Sequence, residues 1–520
     1  MSSVGVNKDR LKARKKEGVK KIKDAIKQKT HALGKVLKAS ENLLVKQFEV
    51  RCAPLADPLS IEQLEAYSQV HLEDPINLAT QNAIASTPIP WLAEDRKFIS
   101  QIDYAYSHLP DKCPKPTCQD NSGRCWLFAS LNTIRYGMIE KFNLNETFEL
   151  SEAYLFFFDK VERSLFYLEK MIEVRHRPID DVVVNGMITY FAPTTDGGTW
   201  SFFVNLISKY GIVPKSCYGE GYNSRDTEGM NEFLFAKLGE YAMEIRASED
   251  TDEELQKRVR LEYMPEIYSM MVKFLGEPPK KFNWNYHEVG EGFEDIRQRG
   301  TYRSIKDLTP LKFYTELVEP DLRPDTKVVL RHDPRERFPD YRVYDVEHFG
   351  AMVGGQPDIA LSVPWEVLSS SAARAVMDGK QVWFSADVGK SMSYEHGILS
   401  TEAFDYEKVL NMKFAKDKSA DLDVRISAPT HAMVLVGVDV EDEDPEQVKK
   451  WKVENSWGEH SGGMDPGYLL MTQEWFSQYG YEVVVDLEYL DDKTREAFEK
   501  YQFDPIYLPF NDAFGAVARR

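Results

Sequence analysis

A chain of 520 residues is too long for one simple core, so two or three subdomains are expected. Its 42% hydrophobic and 29% charged residues are those of an ordinary soluble chain. No run approaches 18 apolar residues and the N-terminus lacks an apolar signal stretch, so neither a transmembrane helix nor a secretory signal is expected. The five cysteines (Cys52, Cys113, Cys118, Cys125 and Cys217) are an odd number, which argues against a disulfide scaffold and for a reducing compartment.

The net charge of -19 hides an asymmetry. Residues 1–50 carry 14 Lys and Arg against 5 Asp and Glu, whereas the other 470 carry 51 against 79. A body that acidic is not, as a whole, a nucleic-acid binder. The basic head reads as a solvated or helical arm. As a mitochondrial transit segment it is weakened by its acidic residues and its preference for Lys over Arg. It leaves contact with nucleic acid open.

Taken in order, residues 8–48 lack proline and read as one or two helices with a mostly polar surface. Gln63 to His71 reads as helix, and Pro88-Ile-Pro90 as a break. Cys113, Pro114, Pro116 and Cys118 form an irregular approach to the stretch Gln119 to Ser130. There, Leu127, Leu131, Ile134 and Met138 recur at helical spacing, which places Cys125 in the first turn of a buried helix. The positive end of the helix dipole would favour its thiolate. Cys113, Cys118 and Cys125 do not follow a zinc spacing and have no nearby histidine, so no metal is expected.

Ser151 is a plausible N-cap for a second buried helix. Asp196-Gly197-Gly198 marks a turn, and Ser201 to Tyr210 reads as a helix closed by Gly211 and Pro214. Residues 228–275 are helical in composition, with a capping box at Thr251 and Glu254 and a kink or division at Pro265. From Phe313 onward the pattern turns to short strands at 328–330, 342–344 and 381–384. His431 opens a two-sided apolar run to Val438, Glu441 to Glu446 is an acidic hairpin loop, and a further strand ends at Asn455. An antiparallel pair of that kind puts His431 and Asn455 at one sheet edge.

A cysteine nucleophile needs a base, and the base needs an orienter. His431 and Asn455 suit those roles. The backbone N–H of Cys125 and the side-chain amide of Gln119 suit the oxyanion.

At these residues the chain resembles papain-type peptidases: Gln119, Gly123, Cys125 and Trp126 match the nucleophile motif, and His431 and Asn455-Ser456-Trp457-Gly458 match the other two blocks. Two departures point to one branch. Arg124 stands where Cys or Ser is usual, and the 306 residues from Cys125 to His431 are about twice the papain spacing. The core Ser-Gly-Arg-Cys-Trp-Leu-Phe is similar to that of the bleomycin hydrolase family, as are the stretches at 149–158, 192–198, 430–433 and 453–458. The resemblance runs from about residue 60 to the C-terminus.

It implies an α+β fold, with a papain-like core and a large helical insertion. Beyond a basic arm at 1–55, which lies outside the resemblance, the implied organisation is a helical part of the core at 56–225, the insertion at 226–312, a β-rich part at 313–505 and a C-terminal arm at 506–520 directed to the active site. It implies a cytoplasmic homohexamer with cysteine aminopeptidase activity on peptides and aminoacyl amides, needing no cofactor. Gly197, Gly198 and Trp457 would bind substrate, and the carboxylate of Ala518, exposed by self-trimming of Arg519 and Arg520, would meet its amino group. Family members often carry Lys after the Gln; Asp120 here would alter preference at the substrate's amino end. Two other readings are a nucleic-acid-binding or chaperone-like hexamer with secondary peptidase activity, and an endopeptidase zymogen with residues 1–110 as propeptide.

Overall fold

A computed structural model describes residues 59–190, 195–289, 300–318, 323, 326–459 and 461–515; the basic stretch 1–50, Cys52 and Ala518 lie outside them. The chain divides after Thr87 into two units. In the first, α1 (Ile61–Glu73) starts at a capping box in which Ser60 and Gln63 satisfy each other's backbone N–H. Asp74 then caps α2 (Pro75–Ile84), with Pro75 in the first turn, where no donor is needed. No residue of either helix is buried.

The second unit begins with Pro88-Ile-Pro90, which starts a short helix at Ile89–Ala93 instead of only breaking one, because proline is tolerated in a first turn. Its helical layer contains α3 (Cys125–Lys141), α4 (Glu152–Val174), α5 (Trp200–Tyr210), α6 (Glu228–Ala247) and α7 (Met264–Leu275). Helix α8 (Trp365–Met377) packs on the sheet, against the strands His431–Val440 and Gly480–Asp486. Ser151 and Thr199 cap α4 and α5 through their hydroxyls. Before Pro265 the chain widens into a π-turn at Val259–Tyr263 and then continues as α7, which accommodates the missing proline N–H without a break.

The span 226–312, expected to be helical, also holds a hairpin. Strands β1 (Phe282–His287) and β2 (Tyr302–Leu308) pair antiparallel. Phe282, Trp284 and Tyr286 alternate with polar residues, a period of two. Trp284 is buried edge-on to Phe142 and Phe313.

The remaining strands are β3 (Lys327–Arg331), β4 (Val343–Val346), β5 (Ala360–Ser362), β6 (Val382–Ala386), β7 (Met392–Ser393), β8 (Ile398–Leu399), β9 (His431–Val440), β10 (Val448–Glu454), β11 (Tyr468–Thr472), β12 (Gly480–Asp486) and β13 (Ile506–Leu508). They form one mixed sheet in the order β13-β4-β5-β3-β12-β6-β9-β10-β11-β8-β7. Both faces are covered. Ala432, Val434 and Val436 of β9 join the helical core with Trp126, Leu127 and Leu131. Met433 and Leu435 join a second core with Leu368, Ala372, Trp451 and Phe476. That is why β9 reads as an unbroken apolar run. The architecture is α+β, with helices on one side of Cys125 and sheet on the other.

Gly211 ends α5 at φ +67, and a Cβ there would stand 2.2 Å from the Pro310 carbonyl oxygen. Gly211→Ala adds left-handed strain and a backbone clash, and is expected to cost about 2–4 kcal/mol. An unchanged midpoint in urea denaturation would contradict this packing.

Candidate functional site

Cys125 is the first residue of α3, so its N–H has no partner inside the helix. Fourteen of the helix's residues, Cys125 included, are buried, and α3 packs against β9. This contact brings the thiol to the backbone N–H of Ala432, the residue after His431. His431 opens β9, and Asn455 follows the last residue of β10. Antiparallel pairing, with Glu454 opposite Val434, sets the two side chains together. His431 Nε2 lies 2.9 Å from Asn455 Oδ1.

The same Asn455 oxygen accepts the Ser456 N–H at 2.8 Å. A backbone N–H must meet an oxygen, so the amide's orientation is settled. His431 Nε2 therefore donates, and Nδ1 carries the free lone pair of the neutral ring. The Trp457 indole packs on the imidazole with ring centroids 5.0 Å apart, and its own ring stacks with Tyr394.

Gln119 is tied to the segment that carries Asn455. Its N–H donates to the Ser456 carbonyl at 2.9 Å, and Gly458 N–H donates to Thr117 across the same bridge. Its side-chain oxygen accepts the Ser456 hydroxyl at 2.7 Å. Its amide nitrogen gives one hydrogen to the Ser122 carbonyl at 2.5 Å, which leaves the second. The strands thus bring Gln119, Cys125, His431 and Asn455 to one place.

Gly197 and Gly198 lie beside them, buried. The Gly197 carbonyl accepts from Arg163 at 2.8 Å. A Cβ on Gly198 would stand 2.5 Å from the Trp126 ring, so the glycine there is required by packing. Of the tail, the chain through Gly515 is described. Asp512 is gripped by Arg335 at 2.9 Å, and the Phe514 ring lies under the Arg331 guanidinium. Ala518 lies outside the described residues.

Charge at the site differs from the helix-dipole expectation. Burial pushes the Cys125 thiol up to about 11, against the pull of the nearby backbone N–H groups. Burial also pushes His431 down to about 4, against its bond to Asn455. Desolvation outweighs the half-charge of a helix end in so enclosed a place. Each group alone is neutral near pH 7; the pair can exchange a proton only as thiolate and imidazolium together.

Two contacts are not marked by the motifs: Ser456, a member of the Asn455 block, steadies Gln119, and Asp196, which the sequence marks only as part of a turn, meets the segment before Cys125. The Asp196 carboxylate accepts from Lys160, Asn231, Thr227 and the Gly123 N–H. Burial alone would raise its pKa, but the Lys160 ion pair and these donors hold it down to about 2. The signal was present as an acidic residue directly before Gly-Gly. Among the described residues, no cluster of His, Cys, Asp and Glu is arranged to hold a metal ion.

The Peptidase C1-like family model matches residues 58–515. The chain belongs to the Peptidase C1-like family. It is 36% identical to a bleomycin hydrolase of Gallus gallus, over 89% of this chain and all of the relative. It is 34% identical to an aminopeptidase C of Listeria monocytogenes, over 88% of this chain and 99% of the relative. The crystal structure of PepW from Lactobacillus rhamnosis superposes with a TM-score of 0.81 at 32% identity, over 89% of this chain and all of that one. The chain is thus a cysteine peptidase of the bleomycin hydrolase and aminopeptidase C type, and members of the Peptidase C1-like family frame the chemistry that follows.

The buried histidine gives a pH signature. An unfolded imidazole takes its proton near 6.5 and the folded one only near 4, so stability is lost as pH falls through that window. This one group accounts for a loss of about 3 kcal/mol at the acid end. His431→Gln should lower acid sensitivity: its urea midpoint should fall less than wild type between neutral pH and pH 4. Equal falls would place the acid lability elsewhere.

Proposed function

We propose that this chain is a cysteine aminopeptidase that removes N-terminal residues from peptides and aminoacyl amides, with Cys125 as nucleophile. The observation that carries the reading is the His431–Asn455 bond at 2.9 Å, beside a cysteine at a helix start. His431 Nδ1 takes the thiol proton and the sulfur attacks the substrate carbonyl. The oxyanion forms between the Cys125 N–H and the remaining amide hydrogen of Gln119. His431, now imidazolium and held by Asn455, gives its proton to the leaving amine. Water, deprotonated by the same ring, cleaves the thioester and restores the thiol. No step needs a metal or cofactor.

Gly197 and Gly198 supply backbone for an extended substrate, and Trp457 shields the His431–Asn455 bond at the substrate's edge. In this reading the C-terminal arm, whose described part is anchored through Asp512 and Phe514, limits entry to a free amino end. A homohexamer, a cytoplasmic location and the division into arm, core and insertion belong to the same reading, which draws them from the family resemblance. Among the described residues, no helix is long and apolar enough to cross a membrane. A nucleic-acid role would draw on the basic residues 1–50, and salt-dependent binding that vanishes with their removal would reveal it.

The test compares free and N-blocked peptides with the full-length protein, Cys125→Ala and a chain lacking its last three residues. Full-length protein should cleave only free peptides, Cys125→Ala neither, and the shortened chain should gain cleavage of blocked ones. Turnover by folded Cys125→Ala would refute the mechanism. Gln119→Ala should lower kcat by about 100-fold or more, as loss of one oxyanion donor does. A change confined to KM would remove Gln119 from the oxyanion site.

A further inference from the structure

We infer that Asp196 is a positioning residue for the nucleophile: it grips the chain on both sides of Cys125, the Gly123 N–H through its carboxylate and the Trp126 indole through its backbone carbonyl. The inference rests on the reading of Cys125 as nucleophile. Asp196 Oδ2 accepts Gly123 N–H at 3.2 Å and also the Thr227 hydroxyl. Oδ1 accepts Lys160 Nζ at 2.7 Å and Asn231 Nδ2 at 2.9 Å. The carbonyl accepts Trp126 Nε1 at 2.7 Å.

Four donors from three segments thus meet one buried carboxylate. Two of them, Thr227 and Asn231, come from the start of α6 and the residue before it. Thr227 also reaches back to the nucleophile loop, its N–H donating to the Asn121 carbonyl at 3.4 Å. Asn121 lies between Gln119 and Gly123. The two proposed oxyanion donors, Gln119 and the Cys125 N–H, are therefore referenced to the same fixed charge.

Gly198 completes the arrangement, since its bare Cα lets the chain lie flat on the Trp126 ring. The peptide planes from Gly123 to Cys125 set where the unpartnered Cys125 N–H points. A shift of the Gly123 anchor would rotate that N–H off the oxyanion, with little effect on where the substrate binds.

The charged groups around Asp196 are Lys160, Arg163 and Asp159, all from α4; Thr227 and Asn231 from the α6 side are neutral. Arg163 pairs with Asp159 at 2.7 Å and holds the Gly197 carbonyl. The Asp196 charge itself disfavours the Cys125 thiolate, and Lys160 is the cation paired with it.

Three full-length variants test the assignment: Asp196→Glu, Asp196→Asn, and Asp196→Asn with Lys160→Met, which leaves no uncompensated buried charge. Each is assayed for kcat and KM on an aminoacyl arylamide. Alkylation of Cys125 by iodoacetamide is followed against pH by peptide mass. Asp196→Glu keeps the charge but displaces the carboxylate by one methylene, and its kcat should fall about 100-fold with little change in KM. Its alkylation profile should stay in place, and the charge-free double variant should fold with kcat reduced and KM little changed.

Full kcat in Asp196→Glu or in the folded double variant, or a fall confined to KM, overturns the inference. If Asp196→Glu does not fold, the double variant decides: folded with kcat lost supports it, folded with kcat retained overturns it. Failure of both to fold assigns Asp196 to the fold and also overturns it. Wild-type turnover that survives alkylation of Cys125 would overturn the underlying reading instead, which keeps the two failures distinct.

Discussion

The packing of α3 on the face of β9 is the contact from which the site takes its position. One surface of that strand, through Ala432, Val434 and Val436, shares a core with Trp126, Leu127 and Leu131. The other surface is closed by a second core. A strand buried on both faces cannot slide by one residue without exchanging every side chain between the cores. The register that places His431 at the mouth of the sheet is therefore held by apolar burial along its length. The helix that starts at Cys125 is held against it by the same burial.

Enclosure then governs the chemistry. The thiol and the imidazole are each driven toward neutrality by burial, so an unpaired charge at either is disfavoured. In the proposed mechanism, donors that point into such a place act on a developing oxyanion with little competition from water. The polar groups that survive there are held by other polar groups. Asn455 serves His431 and Ser456 N–H with one oxygen, and Ser456 steadies Gln119. Beside the turn at Gly123, Lys160 and Asp196 form a buried pair whose remaining capacity is used by neutral donors. Buried charges persist only when they are satisfied to this degree.

Much of this was legible from particular residues. The helical recurrence after Cys125, the caps at Ser151 and Thr251, and the apolar run after His431 each carry a local signal, because cap and periodicity are short-range properties. The strand-end positions of His431 and Asn455 were legible for the same reason. The hairpin at 282–308 was missed although Phe282, Trp284 and Tyr286 alternate, because strong helical composition upstream dominated the reading. The thiol's shift ran opposite to the expectation because a dipole argument sees only the helix, whereas desolvation depends on what closes over it.

The sequence by itself determined which residue types were available, the local elements that carry them, and the family to which the chain belongs. It did so because capping, turn chemistry and hydrophobic period act over a few neighbouring positions. Only the tertiary structure decided which of ten histidines and many amides stand together. It set Asn455 against His431 through a strand pairing, and gave Gln119 its support from Ser456, 337 positions away. It also joined Asp196 to Gly123, Trp126 and Lys160. Those relations are contacts between distant parts of the chain, and their strength comes from burial that no local stretch can supply alone.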